Sequence, residues 1–307
     1  MIRGIVLFVS AGALLYLGGI LWAGRAETLA SMSRIGLPAL VLFAGIAATS
    51  FLWRFVRWVL CLGLLGYRLP AGFNLLVYLS GLALTTSPGK LGETFRSVIL
   101  AGRGVRVPHS LGAFLADRLS DVLGVCMLGV GAGLLAGGSW PWLLGAVFVG
   151  LFGLSSLFAG VIRHRSTGRF WALLAERIVW LPVRGGQATL EAWAKLWFVR
   201  PALGFALFAI LAYGTQAWVF ILICHRVGVE IEVPAGILVF VNATLFGAAS
   251  LVPGGLGTME AALVFQLLQH GATEQAAVSI AVATRLVTLW MGVGVGVSSL
   301  SLLAGRR

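Results

Sequence analysis

Two five-residue segments, Pro88-Gly-Lys-Leu-Gly92 and Pro253-Gly-Gly-Leu-Gly257, interrupt the apolar body of this 307-residue chain, and charged side chains stand beside both. A proline lacks a backbone donor and disfavours helix at the residue before it, and the glycines that follow release the backbone. The chain is therefore predicted to unwind at Pro88, Gly89 and Gly92 and again at Pro253, Gly254, Gly255 and Gly257. Unwound backbone at membrane depth survives only when packed in protein or lining a wet cavity. The half-helix that starts after each break would point its positive end into that cavity, where an anion is favoured. One such break alone reads equally well as a surface loop; the duplication and the neighbouring charges favour a cavity.

The charges near the breaks and on the helices that close each unit are Arg54, Arg57, Lys90, Arg96, Arg118 and Arg285 against Glu93, Asp117, Asp121 and Glu260, six minus four leaving two positives. An unpaired charge near mid-bilayer costs at least about 2.5–3.5 kcal/mol on insertion scales, so these groups are expected to be paired or solvated inside the protein. The basic surplus suits a phosphate-bearing ligand. Lys90, Arg96, Arg54 and Arg57 are the foremost candidates to hold it, with Arg118 and Arg285 beside them. Glu93 and Glu260 would position the hairpins or take a coupling proton. Glu93 and Arg118 are separated by 25 residues, as are Glu260 and Arg285. That equal spacing fits structural ion pairs just as well, so both roles stay open. Asp117 and Asp121 lie one helical turn apart and share a face, where they can pair with Arg118 and other bases.

The elements that position these groups follow from composition. The chain is 59% apolar and 10% charged, with a mean hydropathy of +1.00; a soluble domain carries about 25% charged residues. Stretches long enough to cross the hydrocarbon lie near residues 4–24, 37–60, 109–136, 140–162, 201–224 and 275–303, and two more, 72–101 and 234–270, are broken in the middle. The first stretch is longer than a secretory h-region and reads as a retained helix. Cys61, Cys126 and Cys224 all fall in apolar segments and imply no disulfide framework. The net charge of +12 is spread over helix ends rather than gathered on one face, which argues against nucleic acid. It fits a positive-inside pattern with both termini cytoplasmic.

Self-similarity runs through the chain. Pro38-Ala-Leu40 recurs as Pro201-Ala-Leu203, Pro70-Ala-Gly72 as Pro234-Ala-Gly236, and the Pro88 break as the Pro253 break; Glu93 matches Glu260, Gly104 matches Gly271, and Arg118-Leu119 matches Arg285-Leu286. The resulting expectation is an all-α polytopic membrane protein with six full transmembrane helices plus two broken, re-entrant hairpins in an inverted-topology repeat. As one transmembrane domain, 1–307, it divides into a first helix and loop (1–36), repeat one (37–136), a linking helix with a cytoplasmic amphipathic segment (137–199) and repeat two (200–307). The connector from Arg163 to Val199 mixes tryptophans with arginines and is predicted to lie on an anionic leaflet.

Ser87-Pro-Gly-Lys-Leu-Gly-Glu-Thr-Phe-Arg96, Ala116-Asp-Arg-Leu-Ser-Asp121, Val252-Pro-Gly-Gly-Leu-Gly-Thr-Met-Glu260 and Thr284-Arg-Leu286 together resemble the lysylphosphatidylglycerol synthase transmembrane-region family over nearly the whole chain. The resemblance implies lipid translocation between leaflets of a bacterial-type inner membrane. Fused members carry an aminoacyl-transferase domain after the membrane part; this chain stops at Arg307, so it is not expected to make lysyl-lipid itself.

The expected function is a flippase for a phospholipid, a polyprenyl-phosphate-linked sugar or a hopanoid-type lipid, rather than an enzyme. The alternatives are a membrane-embedded lipid-modifying enzyme and a non-transporting partner of a glycosyltransferase. Against the first, catalysis usually needs clustered carboxylates or a nucleophile–base pair. Here the four histidines sit at unrelated segment ends and Asp117 with Asp121 is a thin metal site, so no cofactor, metal or catalytic residue is expected. The expected partners are the membrane, its lipid substrate and a lipid-modifying enzyme.

Overall fold

The computed structural model describes residues 35–137, 140–163 and 186–305, apart from the side chains of 88–91 and 140–141. The expected first helix at 4–24, most of the basic connector and the Lys90 side chain lie outside the described residues. The described residues form helices joined by turns and short loops, in the order α1 Leu37–Leu64, α2 Ala71–Gly81, α3 Arg96–Ala101, α4 Val107–Ala136, α5 Trp140–Arg163, α6 Gly186–Leu196, α7 Val199–Val227, α8 Val233–Ala249, α9 Thr258–Gln269, α10 Glu274–Arg285 and α11 Met291–Ala304. A turn of π type, Leu286–Trp290, joins α10 to α11, so the two run on as one span. Among the described residues five helices are long and apolar enough to cross a bilayer, and the protein is a multi-pass helical membrane protein.

Local sequence sets the ends of these helices. Pro38, Pro108 and Pro234 occupy the first turns of α1, α4 and α8, where the missing donor has no intrahelical partner to lose. Thr273 caps α10 by accepting from the Ala276 backbone N–H.

Lipid is as apolar as leucine, so burial of apolar surface does little to drive these helices together; close backbone approach and polar contacts must do it. The small residues are placed accordingly. Gly124 of α4 lies against Ala209 of α7, and Gly112 lies against Ala192 of α6. Gly296 of α11 lies directly on the backbone at Ala83, just past α2. On the outer side, α5 turns Val149, Leu154 and Leu157 away from the protein.

The two halves of the chain interlock. Helix α4 packs on α8, α11 packs on α2, and α1 and α7 pack on each other.

The connector differs from expectation over its described part. Helix α6 is amphipathic, but its apolar face, with Ala192, Trp193 and Leu196, is buried against α4 and α5 instead of being left for a leaflet. Arg163 at the end of α5 fixes it, donating from Nη1 to the carbonyls of Ala194 (2.7 Å) and Trp197 (2.8 Å) with its guanidinium over Phe198. Those carbonyls would otherwise be unsatisfied at a helix end.

The glycine contacts give a controlled test. Gly296→Ala must drive a methyl into backbone and is expected to cost about 1–3 kcal/mol, whereas Gly294→Ala, with open space at its Cβ, is expected to be neutral. Unfolding midpoints of the two purified variants in detergent check this; equal midpoints would contradict the packing.

Candidate functional site

The first break is not unwound in the way its glycines suggest. After α2 the chain tightens into 3-10 turns at Leu82–Leu84 and Pro88–Phe95 before α3. Gly92 is needed here for space: a Cβ would lie 2.5 Å from the Leu84 Cβ and 2.8 Å from the Ser87 hydroxyl, and that hydroxyl accepts the Gly92 N–H at 2.6 Å. The second break does unwind. Gly254, Gly255 and Gly257 have φ of 62°, 63° and 80°, and Leu251 just before them has φ 55°. This left-handed backbone is open to glycine and strained for leucine. The two breaks meet, with the Gly254 Cβ position 3.3 Å from the Thr86 Cα.

Beside the first break the ionic groups gather into one network. Arg57 of α1, 0% exposed, donates from Nε to Asp117 Oδ1 (2.7 Å) and from Nη2 to Asp121 Oδ1 (2.6 Å), so it bridges one turn of α4. Arg118 returns from α4 to Asp117 Oδ2 at 2.6 Å, Asp121 Oδ2 at 3.1 Å and Glu93 Oε2 at 3.6 Å. Arg96 lies 3.1 Å from Glu93 and 3.9 Å from Asp117, with its guanidinium 4.3 Å from the ring centre of Trp58 and 5.1 Å from that of Tyr78. Thr85 donates to the other Glu93 oxygen. Three acids thus face three arginines.

Beside the second break the arrangement is a single pair. Arg285 donates from Nε to Glu260 Oε1 (2.8 Å), and its Nη2 donates to the Gly254 carbonyl, holding the unwound backbone directly. Both 25-residue spacings in the sequence therefore correspond to ion pairs, direct at Glu260 and longer at Glu93.

Between the breaks lies a cavity of about 300 Å³. Arg54, Arg118, Asp121 and Arg285 reach its wall, as do Ser87 of the first break and Gly254 and Gly255 of the second. Arg57 and Arg96, equal candidates by sequence, are turned into the network and line no part of it. Arg54 is different again. It is 7% exposed, its guanidinium sits 4.6 Å from the Tyr213 ring centre, its Nε has no hydrogen-bond partner, and no carboxylate among the described residues is within salt-bridge reach. Among the described residues its nearest partner is this π-face, and the Asp121 carboxylate on the same wall acts on it from beyond salt-bridge reach. The wall is completed by residues that the charge pattern does not reveal, above all Tyr213 and Gln216 of α7. The signal available for them was a Tyr-x-x-Gln pair inside an otherwise apolar span.

The network makes its own energetic prediction. Removing one partner of a buried ion pair leaves an uncompensated charge and costs about 3–5 kcal/mol, whereas replacing both partners by apolar groups is often neutral. Asp117→Ala is expected to lose stability on that scale, and Arg57→Met with Asp117→Leu to recover most of it. Chemical denaturation of the two variants in the same detergent decides; a double variant as unstable as the single would refute this account.

This arrangement belongs to a known class of chain. A UPF0104 membrane protein of Methanothermobacter thermautotrophicus (strain Delta H) is 26% identical over 337 aligned positions, which span 97% of this chain and 93% of the relative. The family model described as "Lysylphosphatidylglycerol synthase TM region" matches residues 2–296, and the chain belongs to that family.

Proposed function

We propose that this protein is a transporter that moves a lipid with a phosphate-bearing or otherwise polar headgroup between membrane leaflets, and that the cavity between the two breaks takes the headgroup. The observation that carries this reading is Arg54: a cation more than nine-tenths buried, with no carboxylate among the described residues in salt-bridge reach, on the wall of a cavity. A lone buried charge is costly, and proteins keep such groups where they serve a ligand. Arg118 and Arg285 reach the same wall and can add to the field there, while Glu93, Asp117, Asp121 and Glu260 hold the arginines in place.

The finer architecture belongs to the same proposal. The reciprocal packing of α4 on α8 and α11 on α2 supports two units related by an inverted repeat, with the segments around Pro88 and Pro253 acting as re-entrant hairpins. With the apolar stretch at 4–24 as a further crossing, the proposed arrangement has six full helices and two hairpins, and the basic loops support both termini on the cytoplasmic side of an inner membrane. Family membership and the polytopic fold support action on membrane lipid.

Reconstitution into vesicles with a leaflet-specific assay tests the reading. Wild-type protein is expected to move at least one class of polar-headed lipid above protein-free background, and Arg54→Gln to slow that movement at least tenfold. Because the substitution removes an uncompensated buried charge, the thermal midpoint of Arg54→Gln is expected to be unchanged or higher. Absence of movement for every lipid class tried would reject the proposal.

A further inference from the structure

We infer that residues 251–257 form a lid on the cavity, closed at its neck by Ser250 and Thr258 and latched from the wall by Arg285, and that an anionic group entering the cavity draws the latch off; the inference rests on the transport reading above and supplies the regulation of its site.

The segment is built to move as one piece. Leu251, Val252, Gly254 and Gly255 line the cavity, and Leu251 is also 72% exposed and Val252 36%, so the segment borders both the cavity and the exterior of the protein. Its two ends are drawn together where Ser250, just past α8, and Thr258, the first residue of α9, bring their hydroxyls to 3.0 Å. Beyond that neck the hydrogen bonds are local. The Gly255 N–H donates to the Val252 carbonyl (2.8 Å), the Leu256 N–H to the Pro253 carbonyl (3.2 Å), the Thr258 hydroxyl to the Gly255 carbonyl (3.2 Å) and the Val252 N–H to the Ser250 hydroxyl (3.3 Å). Such bonds travel with the loop and do not resist its displacement.

The hydrogen bond that reaches this segment from another element, among the described residues, is the one from Arg285 Nη2 to the Gly254 carbonyl. The footing of the latch is separate from its grip. Arg285 Nε donates to Glu260 Oε1 at 2.8 Å, which keeps the guanidinium beside α9 whether or not Gly254 is held, while Nη1 faces only the Met259 sulfur, a weak acceptor, at 3.4 Å. A carbonyl and a thioether are neutral, and a charge-assisted bond to an anion is roughly twice as strong as a neutral one. Arg285 and Gly254 stand on the same cavity wall, so an anion that reaches Arg285 competes directly for the donors that hold the lid. Leu251 supplies the hinge. Its φ of 55° lies in a region that leucine rarely occupies, so a movement that returns it to an ordinary φ is favoured once the latch is off.

Hydrogen exchange of the full-length protein, read by mass spectrometry on peptides covering 250–258, tests the latch. Arg285→Gln is expected to speed exchange there about tenfold or more while peptides of α7 keep their wild-type rates, as local opening requires. Inorganic phosphate, compared with chloride at equal ionic strength, is expected to speed exchange of the same peptides in the wild-type protein and to leave Arg285→Gln unchanged. Wild-type rates in Arg285→Gln, or an acceleration spread equally over α7, overturn the latch. Phosphate that slows exchange at 250–258, or leaves it as in chloride, overturns release by an anion. The part of the lid in transport is read with Thr86→Cys and Gly254→Cys combined, because the Gly254 Cβ position lies 3.3 Å from the Thr86 Cα and the native cysteines are buried. Oxidation of the pair is expected to stop lipid movement in vesicles, and reductant to restore it. Movement that continues with the pair oxidised overturns the lid and leaves the transport reading intact. If wild-type protein moves no lipid, the transport reading falls, and the exchange rates still decide the latch.

Discussion

The clamp of Arg57 on Asp117 and Asp121 is the interaction on which the rest of the structure depends. It joins α1 to α4 where neither water nor lipid can satisfy a charge, and it uses both Nε and Nη2 to span one helical turn. Its energetic value lies less in net attraction than in the penalty for any arrangement that separates the partners. With Asp117 and Asp121 fixed, Arg118 has a defined position; with Arg118 and Asp117 fixed, Glu93 and Arg96 close the set and tie the first break to α4. Three acids and three arginines leave that part of the interior electrically quiet. Arg54, which has no salt bridge among the described residues, stands beside it on the cavity wall.

The two breaks show one sequence motif solved by two physical means. The first keeps a helical hand and needs Gly92 because a methyl group would collide with Leu84; the second abandons the helix and needs Gly254, Gly255 and Gly257 for their positive φ. The anchoring differs in parallel. A six-membered ionic network stands beside the first break, while at the second the ionic anchor is Arg285, on Glu260 and on the Gly254 carbonyl, with Ser250 and Thr258 adding hydroxyl contacts. The strained Leu251, 72% exposed, lies on the second side as well. Local stability is expected to follow the density of such contacts, which places the second break at the softer end of the molecule.

Much of this was legible in the residues. Apolar runs of spanning length located α1, α4, α5, α7 and the α10–α11 span to within a few positions, because the bilayer thickness fixes how many residues a crossing needs. The equal 25-residue spacing allowed both glutamate–arginine pairs without choosing them over the other role open to these acids. The fate of individual arginines was not legible. Arg54 and Arg57 are three residues apart on one helix, and only the rotation of α1 against α4 and α7 decides that one enters the network and the other faces the cavity. The reading of the connector missed at α6 for a related reason: an amphipathic face states that something apolar covers it, and whether that is lipid or another helix is settled by tertiary packing.

The exchange of partners between the units has a consequence for how the protein is made. Residues 54–121 contain all six members of the ionic network, so its charges can neutralise one another while the chain is still being synthesised. Helix α2 must wait much longer. Its packing partner, α11, is more than 200 residues further along and leaves the ribosome long after it. Until Gly296 arrives against Ala83, this flank of the segment after α2 is uncovered. Closure of this contact thus waits on the second half of the chain, and a chain truncated before α11 would lack the partner that covers α2.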